Sequence, residues 1–249
     1  MATSGTAIWF RNENDQRLSG VLHGEPTPYA VIACHGMLSN KESDKISHLV
    51  EHLESVRMPS LRFDFAGRGE SDGYLLDLNI TGQKQDLKAA LDELERRGAK
   101  KIAVFGSSLG GTVALETAAE DSRIHAVATV GAVGHPDRIE EMWPEAAAEW
   151  RSTGQLQTEV GPVGEGFLLD ALHHSTGELV EAVQVPTMIT HGDADEVVPV
   201  SDAHDLHRAI GGSRLEIVEG ADHRISDDTV QRDTMHQIGR FLVAELRRR

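Results

Sequence analysis

The chain has 249 residues, of which 39% are hydrophobic and 26% charged, and it carries a formal net charge of −16 at neutral pH. That length fits one large domain with a sizeable buried core, while the excess of acid argues against nucleic acid or an anionic membrane as a partner, because a phosphate surface would be repelled. No stretch approaches the roughly 20 apolar residues that span a bilayer, and the opening residues lack a basic segment followed by an apolar run. The single cysteine, Cys34, excludes an internal disulfide and sits in an apolar run as a small hydrophobe. A cytoplasmic protein is expected.

Apolar residues at 7–10 and 18–22 flank the polar turn Asn12-Glu13-Asn14-Asp15-Gln16 and predict an antiparallel hairpin. From residue 29 the rhythm changes. Short apolar runs at 30–34, 61–65, 102–105, 126–130, 187–190 and 215–218 alternate with helical patterns, which predicts parallel strands joined by crossover helices. Ile46, Leu49, Val50, Leu53 and Val56 share one helical face behind Ser43 and Asp44 at a capping position. Leu87, Ala90, Leu91 and Leu94 share another, which Gly98 ends. A third helix starts at Ser108, and a last one over about 228–246 buries Met235, Ile238, Phe241 and Leu242. Between 131 and 185 the pattern breaks for longer than an ordinary crossover. The chain is therefore read as a single domain over 1–249 with a cap inserted at about 131–185, packed over one end of the sheet.

The stretch with chemistry in it is Gly106-Ser107-Ser108-Leu109-Gly110, which follows an apolar strand and opens a small-residue helix. A serine in so tight a strand-to-helix turn needs glycine on both sides, and its hydroxyl is then thrust clear of the backbone. The first free N–H groups of the helix point toward the same place and suit a developing negative charge. Ligand sites in an open parallel sheet lie at the carboxyl ends of the strands. At that edge stand His35-Gly36-Met37, then Ser108, then His191-Gly192-Asp193-Ala194-Asp195, then Glu219-Gly220-Ala221-Asp222-His223.

A serine hydroxyl becomes a useful nucleophile only when a base accepts its proton, and a carboxylate must orient that base. His223 is assigned as the base and Asp195 as the orienting acid, with Asp193 and Asp222 as rivals for the acid. His35 and His191, each before a glycine, are expected to brace loops. The backbone N–H groups of Leu109 and Met37 are expected to form the oxyanion hole.

Taken together these segments resemble the α/β-hydrolase fold superfamily. The resemblance rests on the serine turn, the His35-Gly36 loop, the loop Asp64-Phe65-Ala66-Gly67-Arg68-Gly69-Glu70-Ser71, and the acid loop running from His191 to Pro199. Within the superfamily the chain is similar to small bacterial carboxylesterases of the feruloyl or cinnamoyl esterase type, which share the lead-in Arg62-Phe63-Asp64-Phe65. It departs from them at Ser107 and Leu109, where those esterases usually carry His and Gln. The resemblance implies an α/β fold with a mostly parallel eight-stranded sheet flanked by helices. It further implies a serine carboxylesterase that works through an acyl-enzyme on small to medium apolar or aromatic esters. No metal or organic cofactor is implied, and Asp202-Ala203-His204-Asp205-Leu206-His207 reads as a solvated helix face. His35, Met142, Trp143, Trp150, Phe167 and Val197 are the candidates for substrate contact. Alternatives are a peptidase or amidase of the same fold, or a non-catalytic ligand receptor. A homodimer is left open.

Overall fold

Runs that are apolar on both faces become strands covered from both sides, and amphipathic segments become the helices that cover them. The computed structural model describes residues 5–248. The first half holds β1 (Thr6–Arg11), β2 (Arg17–His23), β3 (Tyr29–Cys34), α1 (Asp44–Ser55), β4 (Ser60–Phe63), α2 (Ile80–Arg96), β5 (Lys101–Ser107), α3 (Leu109–Glu120) and β6 (Ile124–Val130). Then come α4 (Ile139–Met142), α5 (Pro144–Thr153), β7 (Gln155–Thr158), β8 (Gly161–Gly164), α6 (Glu165–Ala171) and α7 (Thr176–Leu179). The chain closes with β9 (Thr187–Gly192), α8 (Val200–Ala209), β10 (Arg214–Val218) and α9 (Asp228–Arg247).

Eight strands form one sheet in the order β1-β2-β4-β3-β5-β6-β9-β10. The first two pairings are antiparallel and the remainder parallel, as the resemblance implied. Side chains alternate across it. Val31, Ala33, Ala103 and Phe105 pack with Ile46, Leu49, Leu53, Ile238 and Leu242 of α1 and α9. Ile32, Ile102 and Val104 pack on the other face with Leu87, Leu91, Val113 and Leu115 of α2 and α3. Asn79 caps α2 by accepting from the Gly82 N–H at 2.6 Å, whereas Ser43, before α1, makes no side-chain cap bond.

β4 ends earlier than the apolar run to Phe65 predicts. The carboxylate of Asp64 is fully buried and accepts from the Lys41 N–H at 2.8 Å, the Glu70 N–H at 3.0 Å and the Lys41 ammonium at 2.5 Å. A buried carboxylate must be satisfied this way, so the chain turns around it instead of continuing the ladder.

Between β6 and β9 lie four short helices and a hairpin, β7–β8, that the sequence did not announce. Trp150 and Phe167 are buried against each other with ring centroids 5.7 Å apart, and the Trp150 indole N–H donates to the Val163 carbonyl at 2.8 Å. They belong to the same apolar cluster as Leu87 and Leu91 of α2 and Val113 of α3. A polar clamp fastens the segment to helices α2 and α3. Fully buried Glu116 of α3 accepts from His174 Nδ1 at 2.7 Å and from the Thr176 hydroxyl at 2.6 Å, with the Lys84 ammonium 3.3 Å away. Asp170 in turn accepts from the Ile80 and Thr81 N–H groups at the start of α2, at 2.8 and 3.0 Å.

Burial works against the charged ring of His174, but Asp170 and Glu116 outweigh it and hold its pKa up at about 9. A raised folded-state pKa contributes stability that is fully present below the unfolded value near 6.5 and lost as pH rises through about 9. The wild type should therefore melt roughly 4 °C above His174→Gln at pH 6, with the gap narrowing steadily toward pH 10 in differential scanning calorimetry. A gap that stays constant over that range would show that the clamp is held without a charged imidazole.

Candidate active site

Ser108 stands at φ 52° and ψ −124° between β5 and α3, a conformation that costs an L-residue about 1–3 kcal/mol and persists only where its surroundings enforce it. Its N–H donates to the Val130 carbonyl at 2.8 Å, and its carbonyl accepts from the Gly111 N–H at 2.8 Å. Glycine is required on both sides for a spatial reason. A Cβ on Gly106 would overlap the Gly110 carbonyl, and one on Gly110 would overlap the His35 carbonyl and lie 2.8 Å from that of Cys34.

The structure brings the three residues assigned from chain order into one line. His223 Nε2 lies 3.0 Å from Ser108 Oγ, and His223 Nδ1 lies 2.7 Å from Asp195 Oδ2. With Nδ1 donating to the carboxylate, Nε2 is left to accept the serine proton. Asp195 Oδ1 accepts from the Val197 and Val198 N–H groups at 2.9 and 2.8 Å, and Oδ2 also lies 3.1 Å from His191 Nε2. Its side chain is 1% exposed. That burial alone would raise its pKa, yet the bonds from His191, His223 and the Val198 N–H outweigh it and keep the group well below the usual carboxylate range. The rivals are occupied elsewhere: Asp193 caps the Gly220 N–H at 2.6 Å, and Asp222 takes the Ser226 N–H and hydroxyl at 2.8 and 2.5 Å.

His35 sits on the inside of its loop. It is fully buried, its Nε2 accepts from the Phe65 N–H at 3.1 Å and its Nδ1 donates to the Gly36 carbonyl at 2.7 Å. Burial pulls its pKa down to about 4, which keeps the ring neutral. It braces the loop and presents no surface to a substrate, contrary to its place among the contact candidates. Gly36 lies beside the serine, since a Cβ there would come 3.3 Å from Ser108 Cβ. Met37 follows it, half-buried, and Leu109 is the first residue of α3, where an N–H has no intrahelical partner.

Of the other contact candidates, Trp143 and Val197 meet: the indole N–H donates to the Val197 carbonyl at 3.3 Å, on the loop that holds Asp195. Met142 is half-buried beside them in sequence. Trp150 and Phe167 are turned into the core described above, so they line nothing. The helix face expected to be solvated is only partly so, because Asp202 is 3% exposed and accepts from the Gly134 N–H at 2.8 Å. Among the described residues no cluster of three or more His, Cys, Asp or Glu could hold a metal ion, and no helix is long and apolar enough to cross a membrane.

Sequence reasoning passed over Lys45. Its ammonium donates to the backbone carbonyl of His223 at 3.0 Å and to the Ser107 hydroxyl at 3.3 Å. A lysine in the first turn of an amphipathic helix reads as a solvated residue, and nothing in its spacing signals otherwise.

The family described as serine aminopeptidase, S33, matches residues 25–162, more than half of the chain. This chain belongs to that family. It is a hydrolase of the α/β fold, and the matched stretch includes Gly36 and Ser108 while Asp195 and His223 lie beyond it. The mitochondrial palmitoyl-protein thioesterase ABHD10 of Rattus norvegicus is 25% identical over 79% of this chain and 69% of its own length. The serine hydrolase BPHL of Homo sapiens is 27% identical over 82% of this chain and 77% of its own. Among solved structures, Est1E from Butyrivibrio proteoclasticus with ferulic acid bound superposes with a TM-score of 0.84 at 21% identity. It covers 96% of this chain and 100% of that one.

The crowding at the serine turn sets an expectation for stability. Gly106→Ala and Gly110→Ala should each lower Tm by about 10 °C or prevent soluble expression, because backbone must move to admit the methyl group. Gly211→Ala, where nothing lies within 4 Å of the added atom, should melt within about 1 °C of the wild type. Tolerance of alanine at Gly106 would show that the turn is looser than its contacts imply.

Proposed function

We propose that this S33 hydrolase is a serine carboxylesterase that works through an acyl-enzyme on small to medium apolar or aromatic esters. The observation that carries the reading is the unbroken line from Ser108 Oγ through His223 to Asp195, at 3.0 and 2.7 Å. Ser108 attacks the ester carbonyl while His223 takes its proton and hands it to the departing alcohol. A water activated by the same imidazole then attacks the acyl-serine, releasing the acid and restoring the hydroxyl. Asp195, ionised throughout, stabilises the imidazolium that forms in each half. The Leu109 and Met37 N–H groups receive the oxyanion, each such donor being worth on the order of 3 kcal/mol of barrier.

Trp143 and Val197, apolar and half-exposed next to the acid loop, suit an apolar acyl or alcohol group. The names of the relatives widen the choice of substrate. A thioester presents the same acyl carbonyl to the serine, and the family description brings in peptides with a free amino terminus.

The test is turnover of p-nitrophenyl esters from acetate to dodecanoate, of methyl ferulate and of a palmitoyl thioester, by the wild type and by Ser108→Ala. The wild type should hydrolyse a subset of these, and Ser108→Ala should lose at least about 10⁴-fold in kcat on the same substrates. Equal activity in both proteins overturns the serine mechanism. Activity confined to amino-acid p-nitroanilides would move the protein to the aminopeptidases that give the family its description.

A further inference from the structure

Lys45 is a charged side chain that touches the loops of both the nucleophile and the base without belonging to the relay. Ser107 ends β5, and His223 follows β10, which lies three places along the sheet from β5. The 3.0 Å between Ser108 Oγ and His223 Nε2 thus depends on two loops that no direct strand pairing holds in register. Lys45 comes from α1, reaches between them, and donates to the carbonyl of His223 and the hydroxyl of Ser107 at 3.0 and 3.3 Å. Both acceptors are neutral oxygens, and among the described residues no carboxylate lies within 4 Å of the ammonium.

That placement costs the folded protein something. Burial pulls the Lys45 pKa down to about 8, against the opposing pull of Asp195 and Asp222 and with help from Arg224. A methionine of similar length would fill the same space with no charge to desolvate. Desolvation thus outweighs the attraction of Asp195 and Asp222 for the ammonium, whereas a donor fixed on the carbonyl of the base's own residue has a catalytic use. Ser107 matches this account. Its hydroxyl, at the end of β5 and directly before Ser108, offers the ammonium an oxygen at 3.3 Å.

We propose that Lys45 is a positioning residue for the serine chemistry: by tying the His223 carbonyl to the Ser107 hydroxyl it fixes the imidazole against Ser108. The inference rests on the serine mechanism proposed above.

Lys45→Met and Lys45→Cys test it, the second before and after alkylation with 2-bromoethylamine, which rebuilds an ammonium at nearly the length of lysine. Cys34 is fully buried, and wild type given the same reagent serves as the control. The readouts are kcat and KM on the best p-nitrophenyl ester, the rate at which a fluorophosphonate labels Ser108, and Tm. Both variants should lose about 30-fold in kcat and in labelling rate, with KM changed less than about two-fold, since misplacement of a reacting group by 1 Å can cost 10²-fold. Tm should be unchanged or higher, and alkylation should restore at least half of the labelling rate of Lys45→Cys. Full activity in Lys45→Met overturns the proposal. So does a loss that tracks a fall in Tm and is not restored by alkylation, because Lys45 would then be holding structure only. A wild type that labels but cleaves no ester defeats the ester reading alone, and the labelling rates still decide the role of Lys45. A wild type that neither labels nor turns over defeats the serine mechanism and the role of Lys45 together.

Discussion

Ser108 keeps its positive φ only because its neighbours leave no alternative, and that constraint decides much of what surrounds it. The Val130 carbonyl of β6 takes its N–H, α3 begins on its own carbonyl, and the two glycines let β3, β5 and α3 approach until their backbones nearly touch. The apolar runs of the central strands have to be buried on both faces to hold that approach rigid. Small residues at the start of α3, Gly110 and Gly111 foremost, follow from the same need.

The second dependency is electrostatic. A carboxylate as buried as Asp195 would ordinarily take up a proton, and a protonated acid could not orient or stabilise the base. Two backbone N–H groups on one oxygen and two imidazoles on the other keep it charged. His191 belongs to this arrangement although it touches no reacting atom, its Nε2 lying 3.1 Å from the Asp195 carboxylate and 3.0 Å from the Val198 carbonyl. The burial that makes the carboxylate expensive also makes its field at His223 strong, since little water screens it.

Much of this was legible in the sequence, for physical reasons that differ by element. The central strands were readable because a strand covered on both faces must be apolar throughout, and the serine turn because only glycine fits at its flanks. Chain order placed Asp195 and His223, since each follows a strand at the same edge. What stayed hidden depends on direction, not composition. Trp150 and Phe167 read as pocket residues because an aromatic in a cap can face a ligand or the core, and only the packing decides. Gln155-Leu156-Gln157-Thr158 and Gly161-Pro162-Val163-Gly164 pair as strands with none of the β-branched alternation that would announce them. Asp202 looked solvated because it sits on an amphipathic helix, where a charge is usually exposed, and Lys45 drew no notice for the same reason.

His35, which touches no substrate but braces its loop as expected, explains more of the site than that. Its Nδ1–H and the Ser39 N–H, the latter at 3.1 Å, both converge on the carbonyl of Gly36, which therefore points into the loop's own turn. The peptide between Gly36 and Met37 is planar and trans, so its N–H points the opposite way from that carbonyl. Holding the Gly36 oxygen inward is thus a means of holding the Met37 N–H outward. Arg68, donating to the Leu38 and Ser39 carbonyls at 2.7 and 2.9 Å, fixes the peptides that follow those two residues in the same manner. An oxyanion donor has to be set before the charge develops, since a peptide that must swing into place gives back part of what it supplies. The buried neutral imidazole, the turn at Ser39 and the guanidinium of Arg68 together support the assignment of Met37 to that hole, and Gly36 completes it, because any larger side chain there would press on Ser108.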